Sequence, residues 1–131
     1  MNFIYCPSYP SLKLVFYLIS LKEQVTIITY NRDIFLVAND LDIPVKFLDV
    51  DMITIPRVRQ ILNPFNIVKF RIEMNGLFEK LSSEIKSGNF YFTLHCIDLP
   101  GLHFISLFVK NRKDLNIKYW QDYQGDWGVK A

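Results

Sequence analysis

The chain has 131 residues, which is the size of one domain with one hydrophobic core. Hydrophobic residues make up 50% of it and charged residues 21%, so intrinsic disorder is excluded, and a net charge of +2 with basic and acidic residues interspersed argues against a nucleic-acid partner. Two cysteines are too few for a disulfide framework, which favours a cytoplasmic location.

The first two units of the chain each pair a strand with a helix. Residues 2–6 form an apolar run that is typical of a buried strand, and a helix is predicted over residues 12–22. Residues 24–30 are rich in β-branched side chains and predict the second strand, after which Asn31 can cap a helix. The side chains predicted to face the core from these two helices are Leu12, Val15, Phe16, Ile19, Ile34, Phe35, Ala38 and Leu41.

The third and fourth strands enclose a long helix. Residues 45–50 predict the third strand, and Asn63 followed by Pro64 indicates the start of the helix. Residues 90–96 predict the fourth strand, and residues 97–101 predict a loop. The predicted inner face of the long helix consists of Ile67, Val68, Met74, Leu77, Phe78, Leu81 and Ile85.

A last helix from residue 102 to residue 109 or 110 leads to a fifth strand at residues 116–120. Strands that alternate with helices predict right-handed crossovers and a parallel sheet with helices on both faces. The sequence therefore predicts a single α/β domain over residues 1–131, a three-layer Rossmann-like fold of about five strands in the order 3-2-1-4-5.

Candidate site residues follow from this fold, because ligands bind at the carboxyl ends of parallel strands, where the strand order reverses. The predicted binding residues are Ser8, Tyr9 and Ser11 after the first strand and Asp122 and Tyr123 after the fifth, and the predicted catalytic residues after the fourth are His95 and Asp98. A histidine there can exchange a proton near neutral pH. The alternative for Ser8 and Ser11 is that each caps its own helix, and the alternative for His95 is a structural role.

The first loop excludes several cofactors. Residues 6–11, Cys-Pro-Ser-Tyr-Pro-Ser, lack the glycines of a dinucleotide or Walker loop, so we expect no NAD, FAD or ATP and no other cofactor. Asp49 and Asp51 lack a second cluster and are interpreted as solvated carboxylates, so we expect no metal. Cys6 and Cys96 are interpreted as core thiols whose strands are neighbours. A two-component receiver is excluded because Gln-Asp-Tyr, without lysine, follows the fifth strand.

Two segments bear on membranes. Residues 14–19 are apolar but far shorter than the roughly 20 residues that span a bilayer, so neither a signal peptide nor a membrane span is predicted. Residues 56–60 and 68–71 combine basic and apolar side chains, which suits peripheral contact with the inner face of the membrane. Because three glutamates follow in the same helix, the favoured interpretation is a solvated outer face, with membrane contact as the alternative.

Two segments carry a family resemblance: residues 90–95, Phe-Tyr-Phe-Thr-Leu-His, and residues 117–122, Ile-Lys-Tyr-Trp-Gln-Asp. With the order of elements, they resemble the fourth and fifth strands of the N-terminal, acceptor-side domain of a GT-B glycosyltransferase. The first loop departs from the family, because many members carry glycines there.

The resemblance implies half of a longer two-domain transferase that moves a sugar from a nucleotide donor to a carbohydrate or lipid-linked acceptor. The missing C-terminal domain would hold the nucleotide sugar, so this chain alone would not be active. His95 or Asp98 would then be the base, and the first-loop serine and tyrosine groups would line the acceptor side. Two alternatives stay open: a stand-alone flavodoxin-like domain that binds a nucleotide or flavin, and a non-catalytic interaction module.

Overall fold

The computed structural model describes residues 1–49 and 64–121. The strands are β1 (Asn2–Tyr5), β2 (Val25–Thr29), β3 (Val45–Phe47), β4 (Gly88–Thr93) and β5 (Leu115–Trp120). The helices are α1 (Leu12–Ser20), α2 (Arg32–Asp40), α3 (Pro64–Glu84) and α4 (Leu99–Asn111), and short 3-10 turns span Tyr9–Ser11 and Leu94–Cys96. Within these residues no helix is long and apolar enough to cross a membrane.

The five strands form one parallel sheet in the order β3-β2-β1-β4-β5. This confirms the predicted α/β fold class and strand order. Tyr5, the last residue of β1, pairs with Ile28 on one side and with Phe92 on the other. The strand order reverses between β1 and β4, so the loops that follow these two strands flank the point at which ligands bind in such sheets.

The sheet is covered on both faces because alternate residues of each central strand point to opposite sides. Tyr5, Phe90 and Phe92 belong to the cluster that packs under α3 and α4, which is rich in phenylalanine. Ile4 and Ile27 belong to the cluster under α1 and α2, which is mainly aliphatic. The central strands are therefore buried on both faces, as their continuous apolar runs predict.

Two predicted boundaries near the fourth strand are wrong. The strand ends at Thr93 rather than at residue 96, because the chain then tightens into a 3-10 turn. The helix begins at Leu99 rather than at residue 102, because the Asp98 carboxylate accepts a hydrogen bond from the Gly101 amide and caps it. Residues 97–101 thus hold the start of a helix, not only a loop.

Part of the predicted helix faces is also wrong. Phe16, Ile19, Leu41, Ile67 and Val68 were expected to face the core, but all five are exposed. The helices carry apolar side chains on more than one side, so periodicity alone does not fix which side meets the sheet. The residues that are buried instead are Leu14 and Leu18 of α1 and Phe70 of α3.

Candidate functional site

A carboxylate shared by two tyrosines lies at the carboxyl edge of the sheet. Asp98 accepts hydrogen bonds from the Tyr5 hydroxyl, 3.0 Å from Oδ1, and from the Tyr30 hydroxyl on Oδ2. Its Oδ1 also accepts from the Gly101 amide at 2.9 Å. Since Tyr5 ends β1, Tyr30 follows β2 and Asp98 precedes α4, this carboxylate joins three segments that are distant in sequence.

The two phenols are held in their neutral form. Burial, then the negative charge of Asp98, raises the pKa of Tyr5 well above its ordinary value. Burial and the hydrogen bond to Asp98 also raise the pKa of Tyr30. Three donors already surround the Asp98 carboxylate. Asp98 is therefore better placed to hold the Tyr30 ring in position than to accept a proton from a substrate.

A second polar cluster lies between the loops after β1 and β4. The Ser11 hydroxyl is 2.7 Å from Thr93 Oγ1 and 2.9 Å from Cys96 Sγ, and the last two atoms are 3.0 Å apart. Ser11 is fully buried, and neither it nor Ser8 makes a side-chain cap, so the capping alternative is wrong for both. Ser11 thus ties the two loops together, and its role in substrate binding stays a prediction.

The prediction of two core thiols at strand ends holds for Cys6 but not for Cys96, which lies in the 3-10 turn after β4. Cys6 is fully buried next to β2, and Cys96 is half-buried. Burial, then the proximity of Cys96, raises the pKa of the Cys6 thiol. A buried neutral thiol is a poor nucleophile, which agrees with the interpretation of Cys6 as a core residue.

The remaining predicted residues occupy the rim. His95 lies in the 3-10 turn after β4 and is half-buried, with its ring edge-on to Trp120 at 5.5 Å between centroids. Tyr9 is exposed and Ser8 is half-buried. Asp122 and Tyr123 lie outside the described residues. The structure therefore brings His95 and Ser11 to the same edge as Asp98, and the roles assigned to them stay predictions.

A cavity of about 360 Å³ opens at this edge beside Asp98's partner Tyr30. It is lined by Pro7, Tyr30, Asn31, Arg32, Asp33, Phe47 and Asp49. These residues come from the loops after β1 and β2, the first turn of α2, the last residue of β3 and the loop that follows it. The cavity is therefore displaced from the β1–β4 crevice toward β3. A larger groove of about 530 Å³ lies at the opposite, amino edge near Met1 and Pro44, where ligands of parallel sheets do not normally bind.

Local contacts shape the cavity. Asn31 caps α2 by accepting from the amides of Asp33 and Ile34, and its side-chain amide donates to the Pro7 carbonyl at 3.3 Å. The Arg32 guanidinium lies over the Phe47 ring at 5.5 Å. The cavity thus combines carboxylates, an amide, a guanidinium and aromatic rings.

No protein-family model matches the chain, and neither a curated protein nor a solved structure does.

The side chains at this edge could form hydrogen bonds and ring contacts with a polar organic ligand. Among the residues that the structure describes, no group of three histidine, cysteine or acidic side chains could hold a metal ion. None of the seven cavity residues was predicted as a binding or catalytic residue. The sequence indicates Asn31 only as a cap and Asp49 only as a loop carboxylate, although Asn31 directly follows the second predicted strand and Asp49 lies at the end of the third.

Proposed function

We propose that this chain is the acceptor-binding domain of a sugar-transferring enzyme of the GT-B type, with a carbohydrate or lipid-linked acceptor at the carboxyl edge of its sheet. The proposal joins the resemblance of the fourth and fifth strands to the position of the cavity. The cavity at the ends of β1, β2 and β3 carries most of the argument.

The lining of the cavity suits a ligand rich in hydroxyl groups. Asp33 and Asp49 offer carboxylate oxygens to hydroxyl donors, and Arg32 offers guanidinium donors. Tyr30 supplies aromatic surface for the apolar C–H side of a sugar, while the Phe47 ring is already in contact with Arg32 and Phe35. A volume of about 360 Å³ is at the lower end of the range for small-molecule sites, so the bound part of the acceptor is small.

The reaction would need a second domain to hold the nucleotide sugar. The acceptor oxygen bonds to the anomeric carbon while the bond from that carbon to the phosphate oxygen breaks. The nucleoside diphosphate leaves with the bonding electrons, and the hydroxyl proton passes to a base. Of the two predicted bases, His95 suits this role better than Asp98, because the Asp98 carboxylate already accepts three hydrogen bonds. His95 follows β4 and does not line the cavity, so the reacting hydroxyl would have to lie outside the cavity, toward β4.

Calorimetric titration of the purified chain with mono- and disaccharides and their alkyl glycosides tests the proposal. We expect weak binding of at least one of these compounds. Asp49→Asn, which removes a charged acceptor at the end of β3 without touching a helix cap, should weaken that binding about tenfold or more. Asp40→Asn, at the far end of α2, is the matched control and should leave it unchanged.

Two results would contradict the proposal. One is binding of a flavin or free nucleotide in the same titration without any binding of sugars, which would favour the stand-alone flavodoxin-like alternative. The other is sugar binding that Asp49→Asn and Asp40→Asn weaken equally, which would remove the cavity as its site.

A further inference from the structure

Helix α3 has a second apolar side that faces away from the sheet. Phe65, Val68 and Ile72 are 84%, 54% and 66% exposed. At about 100° per residue these three positions fall within an arc of roughly 60°. The buried positions Phe70 and Met74 lie on the other side of the helix. We call Phe65, Val68 and Ile72 the outer stripe.

The outer stripe occupies only the first half of the helix. The positions that continue the same side in the second half are Gly76, Glu79 and Ser83, which are small or polar and exposed. A crossover helix runs antiparallel to the strands, so the first half of α3 lies toward the carboxyl edge of the sheet. The exposed apolar side chains are therefore concentrated at the end of the domain that carries the cavity.

Positive charge surrounds the outer stripe. Lys69 and Arg71 are exposed beside it, and residues 64–72 contain no acidic residue. The glutamates that favoured a solvated helix face begin only at Glu73, beyond the stripe. Apolar side chains with adjacent lysine and arginine on one helix face are the pattern of a segment that lies in the interface of an anionic bilayer.

We propose that the first half of α3 binds the surface of an anionic lipid bilayer, with the outer stripe in the headgroup region and Lys69 and Arg71 on the lipid phosphates. A second copy of the chain is a less suitable occupant, because a contact between two outer stripes would bring the cations of both copies together with no acidic residue in 64–72 to pair with them. The proposal rests on this surface alone and does not depend on the sugar-transferring function. It would place the open edge of the cavity close to the membrane.

Co-sedimentation of the full chain with phosphatidylcholine vesicles, with and without phosphatidylglycerol, tests the proposal. We expect binding only to the anionic vesicles, and release at high salt because exposed charges are screened. Lys69→Gln with Arg71→Gln should weaken binding about fivefold per charge. Phe65→Ser with Ile72→Ser should weaken it about tenfold or more, since less apolar surface leaves water.

Matched controls come from the rest of the surface. Lys86→Gln with Lys110→Gln removes two cations near the amino edge, and Leu36→Ser removes an exposed apolar side chain of α2. Both should leave binding unchanged, and circular dichroism should show that every variant is folded. Equal binding to neutral vesicles, or equal losses in the controls, would overturn the proposal. So would self-association in light scattering that Phe65→Ser abolishes without any vesicle binding.

Discussion

Tyr30 has two roles, because it contributes to the stability of the fold and also forms part of the cavity wall. Its hydroxyl donates to Asp98, which caps α4, while the residue itself lines the cavity. The ring of Tyr30 lies 6.5 Å from that of Tyr5, which donates to the same carboxylate. Asp98 does not line the cavity itself, but a movement of Asp98 would shift the Tyr30 side chain and so change the cavity wall.

The raised pKa of Tyr30 predicts a specific loss of stability at high pH. Below the ordinary pKa of 10.0 the phenol is protonated in both the folded and the unfolded chain, so its contribution is fully present. Above it the unfolded chain loses the proton and the folded chain keeps it. The free energy of unfolding should then fall by about 1.4 kcal/mol per pH unit for each such tyrosine.

Urea unfolding between pH 8 and pH 11, on the wild type and on Tyr30→Phe, measures this effect. The variant should be less stable at pH 8, because one hydrogen bond to a carboxylate is lost. Above pH 10 its free energy of unfolding should fall less steeply than that of the wild type, by about 1.4 kcal/mol per pH unit. Tyr5 and Cys6 titrate in both proteins, so the difference isolates Tyr30. Parallel curves would refute the prediction.

At the level of elements, the start of α4 could be predicted from the local sequence, but the long-range contacts of its capping residue could not. Asp98 followed by Pro100 is a recognisable helix-start pattern, with a capping residue and a proline in the first turn. The proline and glycine at residues 100 and 101 also indicate a loop, and the loop interpretation was the wrong one. Nothing local indicates that Asp98 would also bind Tyr5 and Tyr30, because those contacts need the folded sheet.

Two glycines in helices should respond in opposite ways to alanine. A Cβ at Gly76 would meet nothing within 4 Å, so Gly76→Ala should stabilise the protein by about 1 kcal/mol through helix propensity. A Cβ at Gly101 would lie 2.8 Å from the buried Tyr5 ring and 3.0 Å from the Asp98 carboxylate. Gly101→Ala should therefore destabilise it, by about 1–3 kcal/mol as for overpacked cores.

Chemical denaturation of the two glycine variants beside the wild type gives both signs in one experiment. Because α3 and α4 are both regular helices here, propensity alone would make both variants more stable. If Gly101→Ala raised the free energy of unfolding, α4 could not pack as closely against Tyr5 as the structure shows.

At the scale of the whole molecule, the strand order was predictable and the cavity was not. Five apolar strands alternating with helices leave few arrangements once crossovers must be right-handed, and the order β3-β2-β1-β4-β5 is one of them. The cavity depends on how far the loops after β1, β2 and β3 project relative to one another. That distance is set by the length of each strand and the seating of α2 under its Asn31 cap, neither of which a hydrophobic pattern specifies.

The two clusters on opposite faces of the sheet share their central strands, so they should unfold together. Phe108 of α4 is fully buried between Phe78 of α3 and Phe90 of β4, and Leu14 of α1 is buried in the cluster on the other face of the sheet. Phe108→Ala should cost about 3–5 kcal/mol and Leu14→Ala about 2–5 kcal/mol. Each value is a large part of the roughly 5–15 kcal/mol that stabilises a typical domain.

The measurement is urea unfolding of both variants, with the transition monitored by far-UV circular dichroism and by tryptophan fluorescence. If the described residues form one cooperative unit, each substitution should shift both signals to the same lower midpoint. Separate midpoints in Leu14→Ala, with the helices lost in two steps, would mean that the faces fold independently. The shared strands argue against that result, because β1 and β4 pair directly and β1 contributes side chains to both clusters.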